Sequence, residues 1–360
     1  MTKDQRCFLP TRLLFFLGMA LLVISLHGPG REATVAVKTG DISTTPANKL
    51  RQSGYRWGLM AIRAPRAWDI SRGSGNITVA IVDSGVNIHL PAISSRIWRN
   101  TGEIPSDGID NDGNGFVDDL SGWDFADNDP DVTTGSEYST HGTFVACLLA
   151  SALDRNTGAG GVAPEISIMD LRVLNSKGEL YSSHWHRLVR ALRYAVVEGA
   201  DIINLSVFPV TDPPNFVLAA IEKAIDAGII VVTIPPSGGH PKPSFSSIEG
   251  VITVGAVGKD QNVGNIYGPP GDVDIVAPGM EVLSLDKTGV LAIGSGDSYA
   301  APHVSGTAGL LLSIRPDLTQ SELREILVGT ARRESSLLGF PGYEGALLDS
   351  AAAVKYVSGE

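Results

Sequence analysis

The chain has 360 residues, 43% of them hydrophobic and 19% charged, enough apolar content to bury a sizeable core and to exclude disorder as the main state. A formal net charge of −11 argues against a nucleic-acid binder, because neutralising phosphates takes a basic face. The 2 cysteines, Cys7 and Cys147, exclude a disulfide scaffold, so the fold must hold by packing, with room for a metal.

At the start of the chain Lys3, Arg6 and Arg12 precede the apolar run Leu13 to Leu26, which His27-Gly28-Pro29-Gly30 breaks. The run falls short of the roughly 20 residues that span a bilayer as a helix. Residues 1–36 are therefore expected to be a signal peptide cut near Thr34-Val35-Ala36, with an uncleaved anchor as the rival reading. Removing them takes away four basic and two acidic residues and leaves a more acidic product, expected to be secreted or periplasmic, monomeric and without further membrane contact. Residues 37–54 are polar and aperiodic and read as a short tether.

From Tyr55 to about residue 358, short β-branched runs alternate with helical patterns. That alternation predicts one α/β domain, a doubly wound and mostly parallel sheet with helices on both faces. Strands are expected at Ile77–Val82, Ile166–Val173, Asp201–Val207, Ile229–Ile234 and Val251–Val257. Trp185–Val197 and Phe216–Ile225 repeat apolar residues at three and four and read as helices, the second started by Pro214-Asn215 and ended by Gly228. His184 and His186, two apart on a predicted helix, are expected on different faces and not as a joint metal site.

Between Glu103 and Val132 the chain holds ten carboxylates and no Lys or Arg. Those charges repel unless a cation is present. Within the stretch, Asp110, Asp112, Asn114 and Asp118 place oxygen side chains at positions 1, 3, 5 and 9 of a calcium-type loop, with Gly115 at position 6 and the Phe116 carbonyl at position 7. Ser121 stands where a bidentate Glu would be and no flanking helix pair is evident, so the loop is not an EF-hand. A structural Ca2+ is the expected cofactor, and a solvated Asp/Asn/Gly turn is the alternative.

Three further segments could carry chemistry. Strand Ile77–Val82 ends in Asp83-Ser84-Gly85, which puts a carboxylate at the carboxyl end of a buried strand, where open α/β sheets form their active crevices. Ser139 or Thr140 is expected to cap a buried helix that carries His141 in its first turn. Gly294 to Pro302 enters a long small-residue helix running to about Leu312. Pro302 belongs in a first turn, so Ser298 is expected at the amino end, where free N–H groups can stabilise an oxyanion.

Asp, His, Ser is one of the known triad orders. The segments Val79 to Gly85, His141-Gly142-Thr143 and Ser298 to Gly306 resemble the three signature blocks of the subtilisin-like serine peptidases, and the likeness runs from about Trp57 to Val354. By that resemblance Ser298 is the nucleophile, His141 the general base and then acid, and Asp83 the group that fixes and stabilises the imidazole. The implied substrate is a protein or peptide.

Several positions depart from the family pattern. The oxyanion Asn is replaced by Ser237, after Pro235-Pro236, and losing such a donor costs about 2.7 to 4 kcal/mol, a figure established on subtilisin itself. The Thr before the nucleophile is Asp297, a carboxylate expected to act as the helix N-cap. The glycine-rich strand lining the specificity pocket reads Ser206-Val207-Phe208-Pro209; together with Pro236 it should make the pocket narrow or closed, favouring small side chains. Phe144 replaces a second histidine and should only alter packing, and Cys147 should be a buried small residue. The expected function is thus a secreted serine endopeptidase working through an acyl-enzyme at Ser298. The competing expectation is a weak or inactive relative that binds a peptide or protein partner.

Overall fold

A computed structural model of the chain describes residues 34–36, 41–44, 57–133, 139–154, 159–207, 212–236, 244–260, 272–334 and 346–360. The predicted signal segment before Thr34, most of the tether, and Phe208, Pro209 and Ser237 lie outside the described residues. In chain order the elements begin with strands β1 (Thr34–Ala36) and β2 (Asp41–Thr44), helices α1 (Trp57–Ala61) and α2 (Ala64–Ala67), β3 (Thr78–Asp83), β4 (Gly122–Asp124), α3 (Ser139–Ala150), β5 (Ser167–Arg172) and β6 (Glu179–Tyr181). They continue with α4 (Trp185–Val197), β7 (Ile202–Leu205), α5 (Asn215–Asp226), β8 (Ile230–Thr233), β9 (Ile252–Val257), β10 (Ile275–Pro278), β11 (Val282–Leu285) and β12 (Leu291–Ser295). The last are α6 (Asp297–Leu312), α7 (Gln320–Thr330), β13 (Arg332–Arg333), β14 (Ala346–Leu347) and α8 (Ser350–Ser358).

The five predicted β-branched runs form the centre of a nine-stranded sheet of order β13-β14-β10-β9-β8-β7-β3-β5-β4. Every neighbouring pair is parallel except β13 with β14. After β3 the chain builds β4 and β5 on one side and then crosses to build β7 to β10 on the other. The carboxyl end of β3 is therefore a topological switch point, the place where an open α/β sheet leaves a crevice. Asp83 is its last residue.

Alternate residues of the strands feed two cores, as a sheet buried on both faces requires. Val79, Ile81, Ile168 and Ile202 pack with α3 and α6, whereas Ala80, Val82, Met169 and Leu171 pack with α4 and α5. Helix α6 is buried from Ser298 through Leu312, which explains a sequence of small and apolar residues on every side. α5 follows its punctuation: Pro214 is the N-cap, and Gly228, at φ 88°, follows the C-cap Ala227.

Other elements were not legible. Residues 41–44, read as tether, form β2 on β12, and residues 34–36, read as the cleavage region, form β1 on β6. Helix α3 starts at Ser139, so both expected cap residues lie within it. Asp297 is not the N-cap of α6: that residue is Gly296, and the Asp297 carboxylate instead accepts from the N–H of Ala256, 2.7 Å away on β9. His184 belongs to a short 3-10 turn ahead of α4 rather than to the helix, which brings its ring centroid 5.8 Å from that of His186.

His303 sits on α6, fully buried, with Nδ1 2.9 Å from the Tyr299 carbonyl. Burial pushes its imidazole down to about 4, against about 6.5 when unfolded. Between those values the unfolded chain binds the extra proton, so this group withdraws stability as pH falls from 6.5 toward 4, in all about 3 kcal/mol. His303→Gln should flatten that part of the stability–pH profile, measured by denaturant unfolding between pH 7 and 4. An unchanged slope would show that the buried imidazole does not control it.

Candidate active site

Three elements converge at the carboxyl end of β3. Asp83 is fully buried, and its Oδ1 accepts from the Ser84 N–H at 2.7 Å and meets His141 Nδ1 at 2.7 Å. The second contact fixes the imidazole orientation and, with the proton on Nδ1, leaves Nε2 as the free base. Nε2 is buried without a hydrogen-bond partner among the described residues.

The turn after Asp83 is locked to its surroundings. Gly142, next to the imidazole-bearing residue on α3, donates to Ser84 Oγ at 3.2 Å, and a Cβ on it would lie 2.4 Å from the Gly85 carbonyl. Only glycine allows that helix start to approach so closely. Gly85 itself has φ 95°, and a Cβ there would strike the Val132 carbonyl at 2.7 Å. The next two residues are held by side chains, Val86 N–H by Asp170 at 2.6 Å and Asn87 N–H by Thr143 at 2.9 Å. Asp170 is wholly buried, and that burial holds its carboxyl well above the usual carboxylate range.

Ser298 is the second residue of α6, so its N–H is among the orphan donors of the helix start. The His141 ring lies beside the same turn, its centroid 5.4 Å from that of Tyr299. Pro302 is six residues into the helix rather than in its first turn. It therefore cannot supply the N–H that the Ser298 carbonyl would accept. A side-chain O–H takes its place: the Ser206 hydroxyl donates to the Ser298 carbonyl at 3.1 Å, while the Ser298 hydroxyl donates to the Ser206 carbonyl at 3.2 Å. Asn204 and Ser305 extend this buried network. The nucleophile candidate is thus tied to the end of β7, its hydroxyl held on the Ser206 carbonyl.

Of the predicted pocket residues, Ser206, Val207 and Pro236 are buried. Phe144 packs on Tyr299 with ring centroids 4.7 Å apart, and burial raises the Cys147 thiol far above its ordinary value, so it stays protonated.

In the acidic stretch the carboxylates that converge are Glu103, Asp112 and Asp119, with ligand oxygens within 4.8 Å of one another. Asp112 alone is shared with the predicted set. Asp110 instead accepts backbone N–H groups from Gly113, Asn114 and Gly115, and Asp118 accepts those of Asp107 and Gly108. Asn114 does reach the cluster, donating to Asp119 and to Glu198 at 2.9 Å each. Phe116 anchors the loop through its ring, 5.0 Å from those of Trp123 and Tyr194. Sequence spacing missed Glu103, which lies seven residues before the loop motif. An all-oxygen set of this kind suits a hard cation such as Ca2+.

Against known proteins, the profile of the subtilase family matches residues 74–346. Thermitase of Thermoactinomyces vulgaris is 31% identical over 284 residues, 79% of this chain and 90% of thermitase. The major intracellular serine protease of Bacillus subtilis (strain 168) is 31% identical over 277 residues, 74% of this chain and 78% of the relative. A solved cold-adapted subtilisin-like serine proteinase shares the fold with a TM-score of 0.61 at 24% identity, covering 78% of this chain and 90% of that one. The chain belongs to the subtilase family, and with it to the serine-type endopeptidases.

Proposed function

We propose that this chain is an exported serine endopeptidase that hydrolyses polypeptides through an acyl-enzyme on Ser298. The observation that carries the proposal is the buried Asp83–His141 pair beside the first turn of α6. Nε2 of His141 takes the Ser298 proton as the hydroxyl attacks the carbonyl, then returns it to the leaving amine, while Asp83 stabilises the imidazolium. The Ser298 N–H and Ser237 are the donors proposed for the oxyanion. Ser206, Val207, Phe208 and Pro236 would bound a narrow primary pocket suited to small side chains.

Export is supported by the basic residues ahead of the apolar run Leu13–Leu26. Two of the relatives carry the word intracellular in their names.

The competing reading, a weak relative that only binds peptide, is favoured by Asp297, whose carboxylate is fixed beside the nucleophile by Ala256. Hydrolysis of an unfolded protein such as casein separates the two. The peptidase reading expects cleavage that Ser298→Ala abolishes, and binding without cleavage would support the rival.

Ca2+ is proposed as a structural ion held by Glu103, Asp112 and Asp119, where it would offset repulsion among neighbouring carboxylates. At calcium a hundredfold above its dissociation constant the folded state gains about 2.7 kcal/mol, or about 4 °C in Tm for a domain of this size. Asp112→Ala should remove most of that shift. Identical melting curves in chelator and in millimolar calcium would reject the ion.

A further inference from the structure

Between Ile166 and Leu171 the only ionisable side chain is Asp170, in the middle of the buried strand β5 and itself fully buried. A polar group in such a place needs partners. Strand register fixes what surrounds it. Asp170 lies opposite Ile81 of β3 and Gly122 of β4, and Arg172, two residues on, lies opposite Asp83 and Asp124. Residues two apart point to one face, so Asp83, Asp124, Asp170 and Arg172 share the face whose Ile81 and Ile168 pack with α3, the helix of His141. By strand spacing and rise, the Asp170 and Asp83 Cα atoms are roughly 8 Å apart. On the other flank β4 lies so close that a Cβ on Gly122 would overlap the Asp170 carbonyl.

The Asp170 carboxyl has one donor. Oδ2 accepts from the Val86 N–H at 2.6 Å, and Oδ1 is buried without a hydrogen-bond partner among the described residues. The neighbouring cation is turned elsewhere, since Arg172 Nη1 meets Asp124 and Asp127. Asp83 is no better supplied, with its Oδ2 also buried and unpartnered among the described residues. A buried anion held by one N–H beside two further carboxylates is costly, whereas a neutral acid can accept the same N–H at far lower cost. Burial, helped by Asp124 and Asp83 and opposed by the Val86 N–H and Arg172, holds the Asp170 carboxyl well above the usual range.

We propose that Asp170 is a positioning residue that works as a neutral carboxylic acid, pinning the turn after Asp83 through Val86 while keeping a second negative charge away from the Asp83–His141 pair. The inference rests on the peptidase reading and adds a residue that acts through the triad. An apolar side chain would leave the Val86 N–H buried without an acceptor. An anion would favour the imidazolium and hold His141 in its non-basic form to higher pH.

The test is the pH profile of kcat/KM on a chromogenic alanine tetrapeptide, whose acid limb reports the His141 base. In Asp170→Asn the amide carbonyl can still accept from Val86, and the midpoint of that limb should stay where it is. A full charge roughly 10 Å away at an effective dielectric of about 20 moves an imidazole by about one pH unit, so a midpoint that shifts by about half a unit or more would show an anion and overturn the proposal. Asp170→Leu should lower kcat at least about tenfold with KM little changed, the effect of one buried donor left unsatisfied. Asparagine should recover most of that loss. A leucine variant as active as the asparagine one would overturn the positioning role. If leucine prevents folding, Asp170→Ala takes its place, and failure of both to fold would leave Asp170 a structural residue and reject the proposal. At pH 8 the unsubstituted protein should show the infrared band of a protonated carboxyl that Asp170→Asn lacks; no such band would overturn the neutral acid directly. Labelling of Ser298 by a small fluorophosphonate separates the two readings. With label present these outcomes bear on Asp170 alone, and without it the peptidase reading fails and this role with it.

Discussion

Asp83→Asn should lower kcat by about 10⁴-fold while leaving the fold in place, the size of loss that this substitution causes in serine peptidase triads. The carboxylate is fully buried and one oxygen, Oδ1, serves both the Ser84 N–H and His141 Nδ1. An amide of the same shape fits the space. It cannot stabilise an imidazolium, however, and if its NH2 group turns toward the ring it holds the tautomer whose Nε2 carries the proton and cannot act as base. Peptide hydrolysis measured alongside thermal unfolding checks this. A loss below about tenfold at unchanged Tm would mean that His141 does not depend on Asp83.

Arg172→Met should have the largest effect on stability. The guanidinium is 1% exposed and pairs with Asp124, also 1% exposed, and with Asp127 at 2.8 Å. Burial outweighs these partners and already pushes the Asp124 carboxyl up to about 6. Removing the cation leaves a buried carboxylate with backbone donors alone, a change that costs about 3 to 5 kcal/mol, or about 5 to 8 °C in Tm for a domain of this size. Arg172→Met combined with Asp124→Leu should recover most of the loss, because the pair replaced by apolar groups leaves no uncompensated charge. Arg172 also supports the active turn: its Cδ lies 3.1 Å from where a Gly85 Cβ would be. The single variant should therefore lose activity at temperatures below its melting point. A shift of under 2 °C would show that Asp124 simply takes up a proton.

What could be read from the sequence divides along physical lines. The central strands and α4 announced themselves because burial on both faces demands unbroken β-branched runs or a 3.6 period, and that demand is local. Asp83, His141 and Ser298 were legible as three short segments whose chemistry makes sense only together. β1 and β2 were not legible: three or four residues paired through their backbones on someone else's edge need no pattern of their own. The carboxylate cluster was half legible, since Asp112 lies in the loop motif but Glu103 reaches in from outside it and Asp119 from just beyond. Asp297 and Pro302 were misplaced for one reason. Helix-start rules assume that a residue bonds within its own helix, whereas here Ala256 on β9 and Ser206 past β7 provide the partners.

The central claim is that Ser298 is an activated nucleophile, and covalent labelling tests it without assuming a substrate. The folded exported protein, treated with a fluorophosphonate near pH 8 and digested, should carry the phosphonyl group on the peptide containing Ser298, and Ser298→Ala should carry none. Absence of label on folded protein that a subtilisin control takes up readily, or label that persists in Ser298→Ala, would contradict it.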